Sequence, residues 1–235
     1  VLSGPTTAYD HGVLGDALEA GSVTLLDESG QILEVIPAPE GSVIEGIMPL
    51  WADLDGDGLA EIIITVSTPV SGAQLRAYRQ DGSFLAASSA IGTGYRWRNP
   101  MAAGPFGPNG ELELVDVLTP HLNGTVEFFQ LNGDRLERTA SLSGYTSHVI
   151  GSRNLDMALA ADLDADGQAE VLVPNLARTA LGIIEHAPEG AVVLAEIPLE
   201  GMLSTNLAGV SLPDGSLALA AGTENGVLMI WQMKP

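Results

Sequence analysis

The chain has 235 residues, 46% of them hydrophobic, which suits one all-β domain or two small domains with ample length for a core. Thirty acidic residues against nine basic ones give a net charge of −21, and Lys234 is the only lysine. Such a surface repels phosphate backbones and anionic membranes, so no nucleic-acid partner is expected. No apolar run reaches the roughly 18 residues of a membrane helix, which argues against membrane insertion. The absence of cysteine excludes disulfides, a thiol nucleophile and a zinc–thiolate site.

Val1 is not an initiator methionine, so the chain is read as a processed product or an excised part of a longer one, with any signal peptide already removed. Helical periodicity is scarce. Short β-branched or alternating runs bounded by Gly, Pro, Asn and Asp recur throughout, the pattern of an all-β chain. After residues 9–19, which hold no recognisable acidic loop, the first clear element is a hairpin. It reads Ser22-Val23-Thr24-Leu25-Leu26, a turn at Ser29-Gly30, then Ile32-Leu33-Glu34-Val35. It recurs as Leu75-Arg76-Ala77-Tyr78 with Asp81-Gly82, as Val126-Glu127-Phe128-Phe129 with Asn132-Gly133, and as Ile183-Ile184-Glu185-His186 with Glu189-Gly190. Asp-Gly and Asn-Gly supply the positive φ angles of tight hairpins, and the turn glycines repeat at roughly 51 to 57 residues, close to the period of propeller blades.

A second motif keeps the same beat. Asp53-Leu54-Asp55-Gly56-Asp57-Gly58-Leu59-Ala60-Glu61 runs into the apolar strand Ile62-Ile63-Ile64-Thr65-Val66, and Asp162-Leu163-Asp164-Ala165-Asp166-Gly167-Gln168-Ala169-Glu170 runs into Val171-Leu172-Val173. Degenerate copies surround Gly110 and Gly215, so glycines 58, 110, 167 and 215 mark four units and the first hairpin marks a fifth. The expected fold is an all-β propeller of five four-stranded antiparallel blades, at residues 1–40, 41–92, 93–142, 143–200 and 201–235. In the second blade the strands are expected near 47–51, 61–67, 73–79 and 84–88. The fifth ends after its third strand, Val227-Leu228-Met229-Ile230-Trp231, and residues near Val1 are expected to supply the missing outer strand and lock the ring.

The acidic spacing points to a cation. Alternate residues of a tight loop turn oxygens inward, so Asp53, Asp55 and Asp57 converge with the carbonyl of Leu59, Glu61 closes the shell, and Gly58 permits the left-handed kink. The same assignment gives Asp162, Asp164, Asp166, the carbonyl of Gln168, and Glu170. Hard oxygens in this number suit Ca2+ better than magnesium, which keeps several waters. An EF-hand needs its glutamate six residues after the glycine, where Ile64 and Val173 stand. Residues 52–62, Ala-Asp-Leu-Asp-Gly-Asp-Gly-Leu-Ala-Glu-Ile, resemble the FG-GAP (VCBS-type) repeats of integrin-like β-propellers, and the wider chain is similar to uncharacterised bacterial members of that family. The resemblance implies calcium loops between the first two strands of a blade. It covers most of the chain as repeats but only two units as metal motifs; Pro105, Gly107 and Asn109 replace the ligands in the third. Two structural Ca2+ sites are therefore expected, the alternative being plain acidic surface turns. Calcium sites with dissociation constants on the order of 0.1 to 1 mM fill outside cells, so an extracytoplasmic setting is expected, in the periplasm, at the cell surface or in the medium; that it is bacterial is implied by the resemblance.

In an antiparallel meander alternate connections share a face, so the remaining loops lie opposite the acidic ones. That face gathers Thr68-Pro69, His121, Asn123, Asn175 and Arg178 with Arg96, Trp97, Arg98, Asn99, His148, Ser152 and Arg153. Arg96, Trp97, Asn99, His121, His148 and Arg153 are the candidate ligand residues there, for a protein or carbohydrate partner, on fold analogy. Trp51 and Trp97 read more readily as wedges between blades than as ligand platforms, because tryptophan is usually largely buried. Catalytic signatures are missing: there is no Gly-x-Ser-x-Gly elbow, no His-Glu-x-x-His and no phosphate-binding glycine loop. The expectation is a calcium-stabilised, non-catalytic binding or scaffold module. The alternatives are a glycoside hydrolase-like propeller using Asp10, Glu45 and Asp156 around its axis, or a purely structural domain of a larger surface protein.

Overall fold

A computed structural model describes residues 1–233, and Lys234 lies outside the described residues. The described residues form eighteen β-strands in five antiparallel meanders. The first holds β1 (Leu2–Thr6), β2 (Glu19–Leu26) and β3 (Ile32–Pro37). The second holds β4 (Val43–Ala52), β5 (Glu61–Thr68), β6 (Gly72–Tyr78) and β7 (Phe84–Ala87), and the third β8 (Arg98–Pro105), β9 (Leu112–Leu118), β10 (Thr125–Asn132) and β11 (Arg135–Ser143). The fourth holds β12 (Leu159–Ala161), β13 (Glu170–Pro174), β14 (Ala180–Ala187) and β15 (Gly190–Pro198); the fifth holds β16 (Ala208–Ser211), β17 (Leu217–Gly222) and β18 (Leu228–Met233).

The continuous apolar runs of the sequence are strands buried on both faces. In β5, Ile62, Ile64 and Val66 pack with Val23 and Ile36 of the first meander, whereas Ile63 turns to Leu114 and Phe129 of the third. In β10 the neighbours Phe128 and Phe129 part in the same way, Phe128 joining Val171 and Ile184 of the fourth meander. In β13 Val171 and Val173 face back to the third meander, and Leu172 faces Leu219 and Ala221 of the fifth. Four apolar seams thus join each meander to the next. Each fully buried side chain in them contributes roughly 1.5–3 kcal/mol.

Three expectations need correction. The five separate blades are three hydrogen-bonded sheets, because the pairs Ala20↔Ile44 and Arg135↔Ala87 bridge the first three meanders into one 11-stranded sheet. The ring closure is not shown either. β1 pairs with β2, from Leu2↔Val23 to Thr6↔Glu19, rather than extending the fifth meander. A hydroxyl ladder holds it there: Ser3 Oγ lies 2.8 Å from Ser22 Oγ and 2.7 Å from Thr24 Oγ1, and the Val1 ammonium donates to the Thr24 carbonyl at 2.9 Å. Among the described residues no buried cluster joins the first and fifth meanders, and Val210, Leu228 and Ile230 of the fifth are exposed. Lastly, β4 begins four residues before the expected 47 and carries a bulge between Glu45 and Leu50, which Gly46 at φ 140° and Pro49 accommodate.

The connection from β1 to β2 reaches across to the segment before β12. Gly151 N donates to the Val13 carbonyl at 2.8 Å, and a side chain on Gly15 would stand 2.8 Å from the Gly151 oxygen, so Gly15 is required for the approach. Val13 and Leu14 pack there with Trp97 and Leu155.

Replacing Phe128 with Ala should cost about 3–5 kcal/mol of unfolding free energy in chemical denaturation, by emptying the seam between the third and fourth meanders. Leu33→Ala, at a position 65% exposed, should stay within about 0.5 kcal/mol. Equal destabilisation by the two would contradict the assignment of the seams.

Candidate functional site

The two acidic loops are built alike, except that the bond from Gly56 N to Asp53 has no counterpart at Ala165. In the first, Leu54 N donates to Glu61 Oε2 at 2.7 Å, Gly56 N and Gly58 N donate to the two oxygens of Asp53 at 2.7 and 2.9 Å, and Leu59 N donates to Asp57 at 2.8 Å. In the second, Leu163 N donates to Glu170 Oε2 at 2.7 Å, Gly167 N to Asp162 at 3.1 Å, and Gln168 N to Asp166 at 2.8 Å. Ala165 takes φ 65° where Gly56 has 77°, so the loop imposes its left-handed turn even on a residue that disfavours it. The Gln168 amide donates to the carbonyls of Phe106 and His186 at 2.7 and 2.8 Å, which fastens the loop to its surroundings.

Oxygens of Asp53, Asp55 and Asp57 lie within 4.8 Å of one another, as do oxygens of Asp162, Asp164 and Glu170. Either group could hold a metal ion, and carboxylate oxygens suit a hard one. Glu170 is fully buried and its Oε1 has no hydrogen-bond partner. Burial, reinforced by the charges of Asp164, Asp162 and Asp166, pushes its carboxyl up to about 7. Burial raises Glu61 as well, and Arg79 pairs with Asp55 at 3.0 Å across the first loop. The degenerate loops close differently. Glu111 accepts from the Asn109 backbone and side chain at 2.8 and 2.9 Å, and Asp214 accepts from Ser216 Oγ at 2.6 Å.

Among the opposite-face candidates, three come together. Trp97 stacks on His121 with centroids 6.0 Å apart and meets His148 edge-on at 5.1 Å. His148 Nε2 sits 2.6 Å from the Ser152 carbonyl, which only accepts, so that nitrogen carries the proton. His148 Nδ1 then accepts from His121 Nε2 at 3.3 Å, leaving His121 Nδ1 as a buried lone pair without a partner. Burial lowers both imidazoles, His121 to about 4, so both are neutral at neutral pH.

The other candidates are dispersed. Arg153 is exposed and paired with Asp16, and Arg96 is exposed. Asn99 is buried and donates to Ser147 Oγ at 2.8 Å and to the Leu155 carbonyl at 3.3 Å, so its amide serves the fold. Arg98 does not join the face; it is buried and bonds Asp116 at 2.8 Å and Glu127 at 2.7 Å. Trp51 is no interblade wedge, being 47% exposed on β4.

Sequence reasoning passed over a second cluster. His11 Nδ1 lies 2.6 Å from Glu45 Oε1, Ser67 Oγ donates to Glu45 Oε2, and Tyr9 and Tyr95 pack on His11 and on each other. Glu19 is buried nearby, and burial, then the charges of Glu45 and Asp16, push it up to about 8. The legible signal was a charge at an inward strand position, as in Val43-Ile44-Glu45. The same signal marks Glu113, which meets His186 at 2.8 Å, and Asp116. Of the three proposed axial carboxylates, Glu45 and Asp156 line one cavity of about 300 Å³, and Asp10 is not among its walls.

No family model matches the chain, and no curated protein does. Solved structures are similar in fold. One is the rhamnogalacturonan lyase YesW, at 15% identity and TM-score 0.52, over 89% of this chain and 45% of that one. The exotype rhamnogalacturonan lyase YesX matches at 15% and 0.52 over 88% and 43%, and the Bacillus licheniformis rhamnogalacturonan lyase PL11 at 15% and 0.51 over 88% and 45%. The chain spans less than half the length of each of these lyases, and at such identity the likeness is one of fold alone.

The Glu19 carboxyl sets a pH dependence. It ionises near 4.5 when unfolded and near 8 when folded, so its stabilising protonated form is fully present below about 4.5 and lost as pH rises through about 8. Glu19→Gln should therefore flatten the fall of the melting temperature between pH 5 and pH 8 and melt higher than the parent at pH 8. An unchanged slope would show that Glu19 is solvated.

Proposed function

We propose that the chain is a calcium-stabilised β-propeller module of an extracytoplasmic protein that binds a partner on the face opposite its acidic loops and performs no chemistry itself. The propeller reading draws support from five meanders in register with the sequence repeat and from the four apolar seams between them. One observation carries the ion: the bare, buried Oε1 of Glu170 beside Asp162 and Asp164. A buried carboxylate oxygen with no donor costs stability, and neighbouring carboxylates raise that cost. A divalent cation removes both penalties at once. Asp162, Asp164, Asp166, the carbonyl of Gln168, and Glu170 would hold one ion; Asp53, Asp55, Asp57, the carbonyl of Leu59, and Glu61 would hold the other. Ligand sets this rich in protein oxygens fit a structural calcium that clamps the turn between the first two strands of a meander.

The carbohydrate-active alternative has its own support, since Glu45 and Asp156 share a cavity. Yet both Glu45 oxygens are engaged, by His11 and Ser67. A hydrolase needs an acid and a second carboxylate free to act on the sugar, so binding is the better reading.

Thermal melts with calcium and with chelator test the proposal. At a hundredfold excess of calcium over the dissociation constant, each site should add about 2.7 kcal/mol, and Asp55→Ala with Asp164→Ala should abolish the gain. Glu170→Gln should raise stability in chelator, by removing the buried charge, and shrink the calcium increment. Identical melts of the parent in calcium and chelator would reduce the loops to acidic turns.

A further inference from the structure

The bulge between Glu45 and Leu50 breaks the pairing of β4 with β5, and a cavity of about 300 Å³ lies beside it. Three meanders build its walls: Met48 and Trp51 from the second, Trp97 and Met101 from the third, and Asp156 from the segment that leads into the fourth. Met48 and Trp51 are 60% and 47% exposed, so a large thioether and an indole are left in water at the wall of a concave site. An apolar surface held open in this way is the usual mark of a ligand contact.

The polar groups narrow the ligand. Asp156 is exposed, and its carboxylate makes no hydrogen bond or ion pair among the described residues. The Trp97 indole N–H is buried without an acceptor. Glu45 adds negative charge but no free oxygen, its two being bound to His11 and Ser67. The carboxylate only accepts and the indole only donates, so a ligand that serves both carries donors and acceptors on one apolar body. An ammonium has no acceptor for the indole. A carboxylate or sulfate ester has no donor for Asp156 and meets Asp156 and Glu45 in a protein of net charge −21. Hydroxyl groups do both.

We infer that this cavity binds one neutral sugar ring, with its C–H face on Trp51 and Met48 and its hydroxyls on Asp156 and the Trp97 edge. The volume is at the low end for ligand cavities, which suits a terminal residue of a glycan rather than the interior of a chain. The inference names the ligand class of the binding module proposed above and rests on that reading.

Intrinsic fluorescence tests it, because two of the three tryptophans of the chain line the cavity. The calcium-loaded protein is titrated with methyl glycosides of neutral hexoses, deoxyhexoses and N-acetylhexosamines, and with galacturonate and tetramethylammonium as charged probes. At least one neutral glycoside should give saturable quenching, weakened tenfold or more in Asp156→Ala and in Trp51→Ala, whose melting curves match the parent. No binding by any neutral glycoside, tighter binding of either charged probe, or unchanged affinity in both variants would overturn the assignment. The calcium increment of the melting temperature is read on the same samples. If it persists while saccharide binding fails, the ligand class falls and the calcium-stabilised module stands.

Discussion

A twisted sheet that is apolar on both faces needs a neighbour on each side, and this requirement governs the chain. The side-chain period of two in a strand sends Phe128 one way and Phe129 the other, so each of the three inner meanders is bound to its predecessor and its successor alike. Dispersion and hydrophobic burial along four such seams hold the described residues together, with no helix among them and no disulfide. Loops are then free to carry charge. The interior strand ends hold what polar groups they must: Arg98 with Asp116 and Glu127, His186 with Glu113, and His11 with Glu45.

Buried charges of this sort contribute little net stability, because desolvation offsets their attraction. Their value is geometric. Glu45 is held from two sides at the start of the bulge that shapes the cavity, and Glu170 is held by the Leu163 amide at the foot of its loop. In each place a carboxylate is fixed where the chain must leave regular strand geometry. The cluster of Trp97, His121 and His148 is instead uncharged and aromatic, the indole packing on two neutral imidazoles that also meet each other.

Much of this was legible in the sequence. The hairpin repeat located the meanders, and the Asp-x-Asp-x-Asp spacing located both loops, because turn chemistry and carboxylate spacing are local properties. Of the residues that parity of the connections gathered, Trp97, His121 and His148 do lie together. What failed was long-range. The placement of β1 depends on a hydroxyl ladder with residues about twenty positions away, and Ser3, Ser22 and Thr24 carry no hydrophobic period to announce it. Arg98 and Asn99 sat in a promising basic and aromatic run, yet the start of β8 is covered on both faces, so both side chains are enclosed. His11 looked inert until β4 supplied Glu45.

The crossing of the β1–β2 connection to the segment before β12 bears on how the chain is made. The Arg153–Asp16 pair spans 137 residues of sequence, and the Gly151–Val13 hydrogen bond lies beside it. Synthesis at roughly 5–20 residues per second delivers the second half of that contact on the order of ten seconds after the first. Trp97 emerges partway through that interval, but Leu155, which completes the contact of Val13 and Leu14, follows Arg153 and comes only at its end. The first meander, earliest to emerge, is therefore among the last to be fully seated, and its apolar loop is where a chaperone has most to shield.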